Sequence, residues 1–204
     1  MAISEILFVN ATYRLNGLRM PLYIFMAEDS LGQTEIIAFC LINSEERTVI
    51  EQLSACFKRN NPNFEKTKII ISDKDITERA VFSEQFPNAV TLLCQFHVLR
   101  SFNREITIEK LGISAAQRHT ALELAQKLVY SKSEDHYNTN LQEIQSTCPR
   151  QIYEYIFNQW HPIREEWAFG LILCDGSLMN TTNNRLESFT KICCQVILQP
   201  WHIF

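Results

Sequence analysis

The first 45 residues alternate apolar stretches with turn-forming stretches in a pattern that predicts three β-strands. Apolar and β-branched positions dominate residues 6–14, 18–28 and 34–43. An Asn-Gly pair at 16–17 and the polar residues 28–33 supply the turn signals between them. Strands joined by short turns pair antiparallel. We therefore expect the chain to open as a three-stranded antiparallel sheet.

Helical and strand patterns alternate over the next 60 residues or so. Ser44 is in position to cap a helix in which Val49, Ile50, Leu53 and Phe57 share one face. The pattern then predicts, in order, a strand at 67–73, a helix at 76–86, a strand at 89–93 and a helix at 97–106. The first of these strands is rich in isoleucine, which is typical of a strand buried on both faces of a parallel arrangement.

This order, β-β-β-α-β-α-β-α, indicates an α/β protein with an RNase H-like mixed five-stranded sheet. In that arrangement the first and fourth strands are parallel neighbours. A helical pattern continues from about residue 114, and a last helix is predicted at 184–196. Residues 197–204 form an apolar tail that is more typical of a truncation or an alternative end than of a domain edge.

Composition excludes several classes of protein. A chain of 204 residues with 46% hydrophobic and 21% charged residues fits one sizeable globular domain. The net charge of −4 lacks the basic footprint of a protein whose main task is to bind DNA, so any nucleic-acid contact must be local. Seven cysteines without framework spacing and without a leading signal sequence predict reduced thiols in an intracellular protein. We expect no membrane span, because no apolar stretch is long enough.

The candidate functional residues form an acidic triad in which one of the three positions lacks a carboxylate. Asp73 ends the fourth strand, Glu187 lies where the last helix begins, and Asn10 lies on the first strand, where alternation places it on the same face as Asp73. Two-metal phosphoryl transfer uses carboxylates to hold two divalent ions, and an amide is a weaker ligand. Simpler roles also fit: Asp73 can end a strand and cap the next turn. Glu187 can pair with Lys191 or form a capping box with Asn184.

Two weaker patterns lie further along the chain. Cys94 and His97 have a C-x-x-H spacing, but zinc needs four ligands and no second pair is visible, so a core cysteine beside a helix-starting histidine is the favoured interpretation. Arg100 and Arg104 share a helical face with His97 and are candidates for phosphate contact. A solvated helix face is the simpler explanation of these two arginines, since Glu105 dilutes the charge.

Three ordered blocks of this sequence resemble the transposase domains of the MULE (Mutator-like) type. They resemble the D-x-T-Y-x-x-N opening of that family, its second block, and its T-N-N-x-x-E-S element. The blocks are Asn10–Asn16 with Met20–Leu22, then Ser72–Asp75, Phe86–Ala89 and Cys94–Val98, and finally Thr182–Ser188. Within that family the chain is most similar to the transposase-derived domain of vertebrate SWIM-type zinc finger proteins.

The resemblance implies an RNase H-like domain over residues 1–196 with a helical insertion at about 112–176. It assigns Asp73 and Glu187 to the second and third metal-ligand positions and Asn10 to the first, where the family pattern has an aspartate. Loss of a carboxylate shared by two metals removes several kcal/mol of transition-state stabilisation, and each 1.36 kcal/mol is about tenfold in rate. The resemblance therefore implies a degenerate site.

These observations leave three hypotheses. The first is a domesticated, catalytically inactive domain that acts in the nucleus, by family resemblance, as a scaffold for proteins or DNA, without a small-molecule cofactor. The second is an active nuclease or phosphoryl transferase that uses Mg²⁺ or Mn²⁺ with Asp75 or Asp29 as a substitute ligand. The third is a zinc-stabilised module built on Cys94 and His97.

Overall fold

The structure, a computed structural model, describes residues 5–12, 20–28 and 34–172. These residues fall into two compact units that divide between Cys94 and Gln95. The first unit contains the five strands and the first two helices, and the second contains the remaining helices. The strands are β1 Ile6–Thr12, β2 Leu22–Glu28, β3 Thr34–Leu41, β4 Ile69–Ser72 and β5 Val90–Leu93. The helices are α1 Arg47–Asn60, α2 Ile76–Gln85, α3 Gln95–Glu105, α4 Ile108–Leu111, α5 Ala115–Val129, α6 Glu134–Thr147 and α7 Arg150–Gln159.

The five strands form one mixed sheet in the order β3-β2-β1-β4-β5. β1 pairs antiparallel with β2 and parallel with β4, and β4 pairs parallel with β5. This confirms the predicted RNase H-like order, including the parallel pairing of the first and fourth strands. All four residues of β4 are buried, as the isoleucine-rich pattern predicts.

One face of the sheet packs against α1 and α2. Phe25 on β2 stacks on Phe57 of α1 with ring centroids 4.5 Å apart, and it meets Phe82 of α2 edge to face. Each such buried side chain contributes roughly 1.5–3 kcal/mol relative to exposure. The buried core on this face comprises Leu7, Val9, Tyr23, Phe25, Ile42, Ile50, Leu53, Phe57, Ile70, Val81, Phe82 and Phe86. The alternate positions Ile6, Phe8, Asn10, Ile69 and Ile71 belong to the opposite face and are buried as well.

The prediction that Ser44 caps the first helix is wrong. α1 begins at Arg47, and its N-cap residue is Glu46, whose side chain makes no capping hydrogen bond. The Ile42 N–H donates to the Pro21 carbonyl oxygen at 3.1 Å, so the chain continues its strand pairing past the end of β3. The first helical carbonyl is then that of Glu46, which accepts from the N–H groups of Val49 and Ile50.

The second unit has an aromatic core of its own. Phe102 of α3 meets the ring of Trp160 at 4.9 Å, and the Trp167 indole N–H donates to the Trp160 carbonyl oxygen at 3.0 Å. The Gln95 side chain donates to the Trp167 carbonyl oxygen at 3.2 Å, which satisfies a buried acceptor. Ser114 and Gln117 form a capping box at the start of α5.

Candidate functional site

The ends of β1 and β4 bring two of the three predicted site positions to the same level of the sheet. The parallel register pairs Ile6–Phe8 with Ile69–Ile71. Continued by two residues, this register sets Asn10 level with Asp73. Asn10 is only 6% exposed, whereas Asp73 is the first residue after β4 and is exposed.

The Asp73 carboxylate lies in a local turn rather than in a strand. Its Oδ1 accepts a hydrogen bond from the Lys74 N–H at 2.6 Å, and the Ser72 hydroxyl donates to the Asp73 carbonyl oxygen at 3.2 Å. Burial lowers the pKa of the Lys74 ammonium, and the nearby charge of Arg79 lowers it further. One carboxylate oxygen of Asp73 is thus engaged by the backbone, and the residue is exposed.

Asp75 is the N-cap of α2. The premise on which it was predicted as a substitute metal ligand is therefore wrong. That prediction required the strand to continue past Asp73, which would place Asp75 on the same face. β4 ends instead at Ser72, and Asp75 Oδ1 accepts a hydrogen bond from the Glu78 N–H at 2.9 Å. The carboxylate satisfies an otherwise unpaired N–H of the first helical turn.

Glu78 is a buried carboxyl that sequence reasoning missed. The residue is 3% exposed. The Tyr23 hydroxyl lies within donating distance of two carboxylate oxygens, Glu78 Oε2 at 3.0 Å and Glu45 Oε1 at 3.3 Å. Glu78 Oε1 is buried without a hydrogen-bond partner among the residues of the described ranges. Burial raises the pKa of Glu78 to about 8, with smaller contributions from the charges of Asp73, Asp75 and Glu45, while the Tyr23 hydrogen bond opposes the shift.

Glu78 does not replace the carboxylate that Asn10 lacks, because the two residues belong to opposite faces of the sheet. Tyr23, the partner of Glu78, is part of the core between the sheet and helices α1 and α2. Across β1 and β2, Tyr23 is paired with Ala11, whereas Asn10 is paired with Ile24. Successive residues of a strand point to opposite faces, so Tyr23 and Asn10 diverge.

The third triad position, Glu187, lies outside the described residues, as does the alternative ligand Asp29. Among residues 5–12, 20–28 and 34–172, no group of three or more His, Cys, Asp and Glu side chains is arranged to hold a metal ion. Because Glu187 is not among them, this observation does not test the complete triad.

The other predicted residues occupy ordinary structural positions. Cys94 is buried directly after β5, where its N–H donates to the Ser72 carbonyl oxygen at 2.9 Å. His97 belongs to α3 in the second unit, where its ring meets that of Phe96 edge to face. Their joint use as a zinc pair stays a prediction.

The two arginines of α3 are exposed. Arg104 Nε donates to Glu105 Oε1 at 3.1 Å, and Glu105 also accepts from Lys110 Nζ at 2.7 Å. These neighbours hold the pKa of the Glu105 carboxyl below its usual range. Arg104 is thus partly neutralised, whereas Arg100 is exposed on the same helix, and phosphate contact by either residue stays a prediction.

Comparison with known proteins finds a family model that matches most of the sheet-containing segment. Residues 2–92, a little under half of the chain, match the family model described as "Zinc finger SWIM domain-containing protein 1/3, RNaseH-like domain". This segment is therefore similar to the RNase H-like domain of SWIM-type zinc finger proteins. The matched SWIM-type RNase H-like segment includes β1 to β4, most of β5, and both Asn10 and Asp73. Glu187 lies beyond it.

Two further similarities are more distant. The chain is 27% identical over 99 residues to the PKS-NRPS hybrid synthetase cheA of Chaetomium globosum, which is 48% of this chain and 2% of that protein. It also aligns with the yeast mitochondrial Holliday junction resolvase Ydc2 at 10% identity and a TM-score of 0.24, over 95% of this chain and 86% of that one. Neither similarity supports a statement about activity. The first spans a small fraction of its relative, and the TM-score of the second is too low.

The described helices give no sign of a membrane span. None of them is both long enough and apolar enough to cross a bilayer.

Proposed function

We propose that this SWIM-type RNase H-like domain descends from a transposase, has lost metal-dependent cleavage, and serves as a scaffold for nuclear proteins or nucleic acid. The observation that carries the proposal is Asn10 on β1, which the register with the parallel strand β4, continued one residue past the end of β4, sets level with Asp73. The resemblance to the MULE transposases supports the descent and the nuclear location. A neutral amide at the first position supports the loss of cleavage, because a two-metal clamp depends on carboxylates that balance the charge of the ions.

The local alternatives to the missing carboxylate also support this view. Asp75 is engaged as the cap of α2. Glu78 belongs to the other face of the sheet, and a carboxyl with a pKa of about 8 is mostly neutral at pH 7. Neither residue is therefore suited to bind a divalent cation beside Asn10.

The proposal predicts that the wild-type protein neither binds Mn²⁺ tightly nor nicks DNA. Asn10→Asp should raise the Mn²⁺ affinity by about tenfold or more, because it restores a negative ligand beside Asp73. Isothermal titration with MnCl₂ and a supercoiled-plasmid nicking assay provide the two readouts. A suitable control is Asn63→Asp, which adds the same charge at an exposed residue of the same unit.

The active-enzyme hypothesis makes the opposite prediction. Two tight Mn²⁺ sites and DNA nicking by the wild-type protein, both abolished by Asp73→Ala, would contradict the loss of cleavage. Equal Mn²⁺ affinities for wild type, Asn10→Asp and Asn63→Asp would contradict the assignment of Asn10 to the first ligand position.

A further inference from the structure

Two carboxyl groups and a tyrosine hydroxyl form a hydrogen-bonded path from the core of the first unit to its surface. Glu78 on α2 and Tyr23 on β2 are buried, whereas Glu45, in the connection between β3 and α1, is exposed. The Tyr23 hydroxyl oxygen lies 3.0 Å from Glu78 Oε2 and 3.3 Å from Glu45 Oε1. We call these three side chains the Tyr23 bridge. The bridge joins three segments that are distant in sequence.

The number of protons decides how the Tyr23 bridge is arranged. The Tyr23 hydroxyl has one proton, so it cannot donate to both carboxyl groups at once. If Glu78 is ionised, the Tyr23 proton is drawn to the buried anion, and the lone pairs of Tyr23 then face the Glu45 carboxylate. If Glu78 is protonated, its Oε2–H donates to the Tyr23 oxygen, and the Tyr23 O–H donates to Glu45. Only the second arrangement places a proton in each contact while the exposed Glu45 keeps its charge.

The surroundings of Glu78 favour the protonated arrangement. Glu78 Oε1 is buried, and no hydrogen-bond donor reaches it from the residues that the structure describes. A buried anion without donors is costly, whereas the carbonyl oxygen of a neutral acid costs less to leave unpaired. Burial raises the pKa of Glu78 to about 8. The charges of Asp73, Asp75 and Glu45 add to this effect.

The surface end of the Tyr23 bridge lies just before a helix. Glu45 is followed by Glu46, the N-cap residue of α1, whose side chain makes no capping hydrogen bond. The Glu46 carbonyl oxygen accepts from the N–H groups of Val49 and Ile50 at 3.0 and 3.1 Å. The contact between Tyr23 and Glu45 ties the connection that leads into this first turn to the sheet. Loss of that contact should therefore loosen the start of α1, since helix ends open most easily.

From these contacts we propose that the Tyr23 bridge is a pH-sensitive latch on the start of α1. While Glu78 holds its proton, the bridge connects α2, β2 and the segment that leads into α1. When Glu78 releases its proton to a base in solution, Tyr23 turns its own proton towards the Glu78 carboxylate, and Glu45 loses that hydrogen bond. The latch goes beyond the loss of cleavage proposed above and does not depend on it, because the bridge lies on the face of the sheet opposite to Asn10.

Nuclear magnetic resonance of the full chain between pH 6 and 9.5 tests the latch. In the wild type, the signal of the Glu78 carboxyl carbon and the amide signals of Val49 and Ile50 should titrate together, with a midpoint near pH 8. The hydrogen-exchange protection of these two amides, corrected for the pH dependence of free exchange, should fall about fivefold across this step, because one hydrogen bond is lost.

Three variants separate the latch from a purely structural contact. Glu78→Gln should keep it closed at every pH, because the glutamine amide donates to Tyr23 and does not ionise. Glu45→Ala removes the surface end, so Glu78 should still titrate while the two amides of α1 no longer follow it. Glu46→Ala is the matched control. It removes a neighbouring exposed carboxylate that makes no capping hydrogen bond, so the two amides should follow Glu78 as in the wild type.

Any one of three results would overturn the proposal. The first is a titration of the two amides in Glu78→Gln with the wild-type midpoint. The second is an equal response of these amides in wild type and in Glu45→Ala. The third is a Glu78 carboxyl group that titrates near the ordinary value of 4.5, because the bridge would then be open at neutral pH.

Discussion

Replacing Glu78 by glutamine should make the protein more stable at neutral pH, even though it removes a buried carboxyl that is hydrogen-bonded to Tyr23. The folded protein keeps the Glu78 proton up to a pKa of about 8, whereas the unfolded chain releases it near the ordinary value of 4.5. The unfolded state is therefore favoured progressively as the pH rises from about 4.5 to 8. Glutamine has no proton to lose, so this source of pH dependence disappears.

The expected size follows from the linkage between pKa and stability. At 1.36 kcal/mol per pKa unit, the advantage of Glu78→Gln over wild type should grow by about 3 kcal/mol between pH 4.5 and pH 7. Urea unfolding at a series of pH values between 4 and 8.5 measures this slope, independently of any constant offset from the new amide.

Glu84→Gln on the same helix is the matched control. Glu84 is exposed and pairs with Arg47, and an exposed ion pair is worth about 0–1 kcal/mol, so this variant should be equal to wild type or slightly less stable at pH 7. If Glu78→Gln and wild type lost stability in parallel as the pH rose, the burial of an ionisable Glu78 would not be a determinant of stability.

Gly170→Ala is expected to be among the most destabilising single changes in the second unit. A Cβ at Gly170 would lie 2.2 Å from the carbonyl carbon of Lys132 and 2.6 Å from the backbone nitrogen of Ser133. The Gly170 N–H also donates to the Ser131 carbonyl oxygen at 2.7 Å. Backbone atoms of the turn between α5 and α6 cannot move aside as a side chain can, so we expect a loss of about 3 kcal/mol.

Gly112→Ala separates close approach from backbone conformation. Gly112 ends α4 with φ at 62°, but no atom lies within 4 Å of a Cβ placed there. Alanine at this position should cost about 1–2 kcal/mol through its left-handed backbone alone. Thermal or urea unfolding of both variants provides the comparison, and a Gly170→Ala variant no less stable than Gly112→Ala would rule out the tight contact with the α5–α6 turn.

The strand order could be predicted from sequence because each strand carries its own pattern and turn. The isoleucine-rich run at 67–73 differs from the alternating strands at the start of the chain, and such a run is typical of a parallel strand that is buried on both faces. Sequence reasoning also placed Asn10 and Asp73 on neighbouring strands. Asn10 does lie on β1, but β4 ends at Ser72, one residue before Asp73.

Glu78 could not be recognised from sequence for a physical reason. It lies three residues after Asp75, a spacing in which a glutamate usually folds back onto the start of its own helix and remains near solvent. Here the Glu78 side chain lies in the core instead, where it is hydrogen-bonded to the Tyr23 hydroxyl, 55 positions away in sequence. The signal that was available is the lone tyrosine among the apolar residues of β2, since a buried hydroxyl needs a partner.

The edge position of β3 and the close approach at Gly170 were missed for a related reason. The apolar pattern of residues 34–41 identifies a strand, but it does not reveal that the strand lies at the edge of the sheet or that a bulge brings Ile36 onto the same face as Phe39. The close approach of Gly170 to the α5–α6 turn depends on contacts between segments about 40 residues apart. Both features arise from tertiary packing, which local periodicity does not encode.

The central claim is that Asn10 occupies the first position of an ancestral two-metal site and leaves it unable to hold its ions. Anomalous diffraction from crystals of the full chain soaked in MnCl₂ tests this most directly. We predict that Asn10 lies beside Asp73 and that no pair of manganese ions lies between them. Two ions about 3.5–4 Å apart, bridged by Asp73, would contradict the claim.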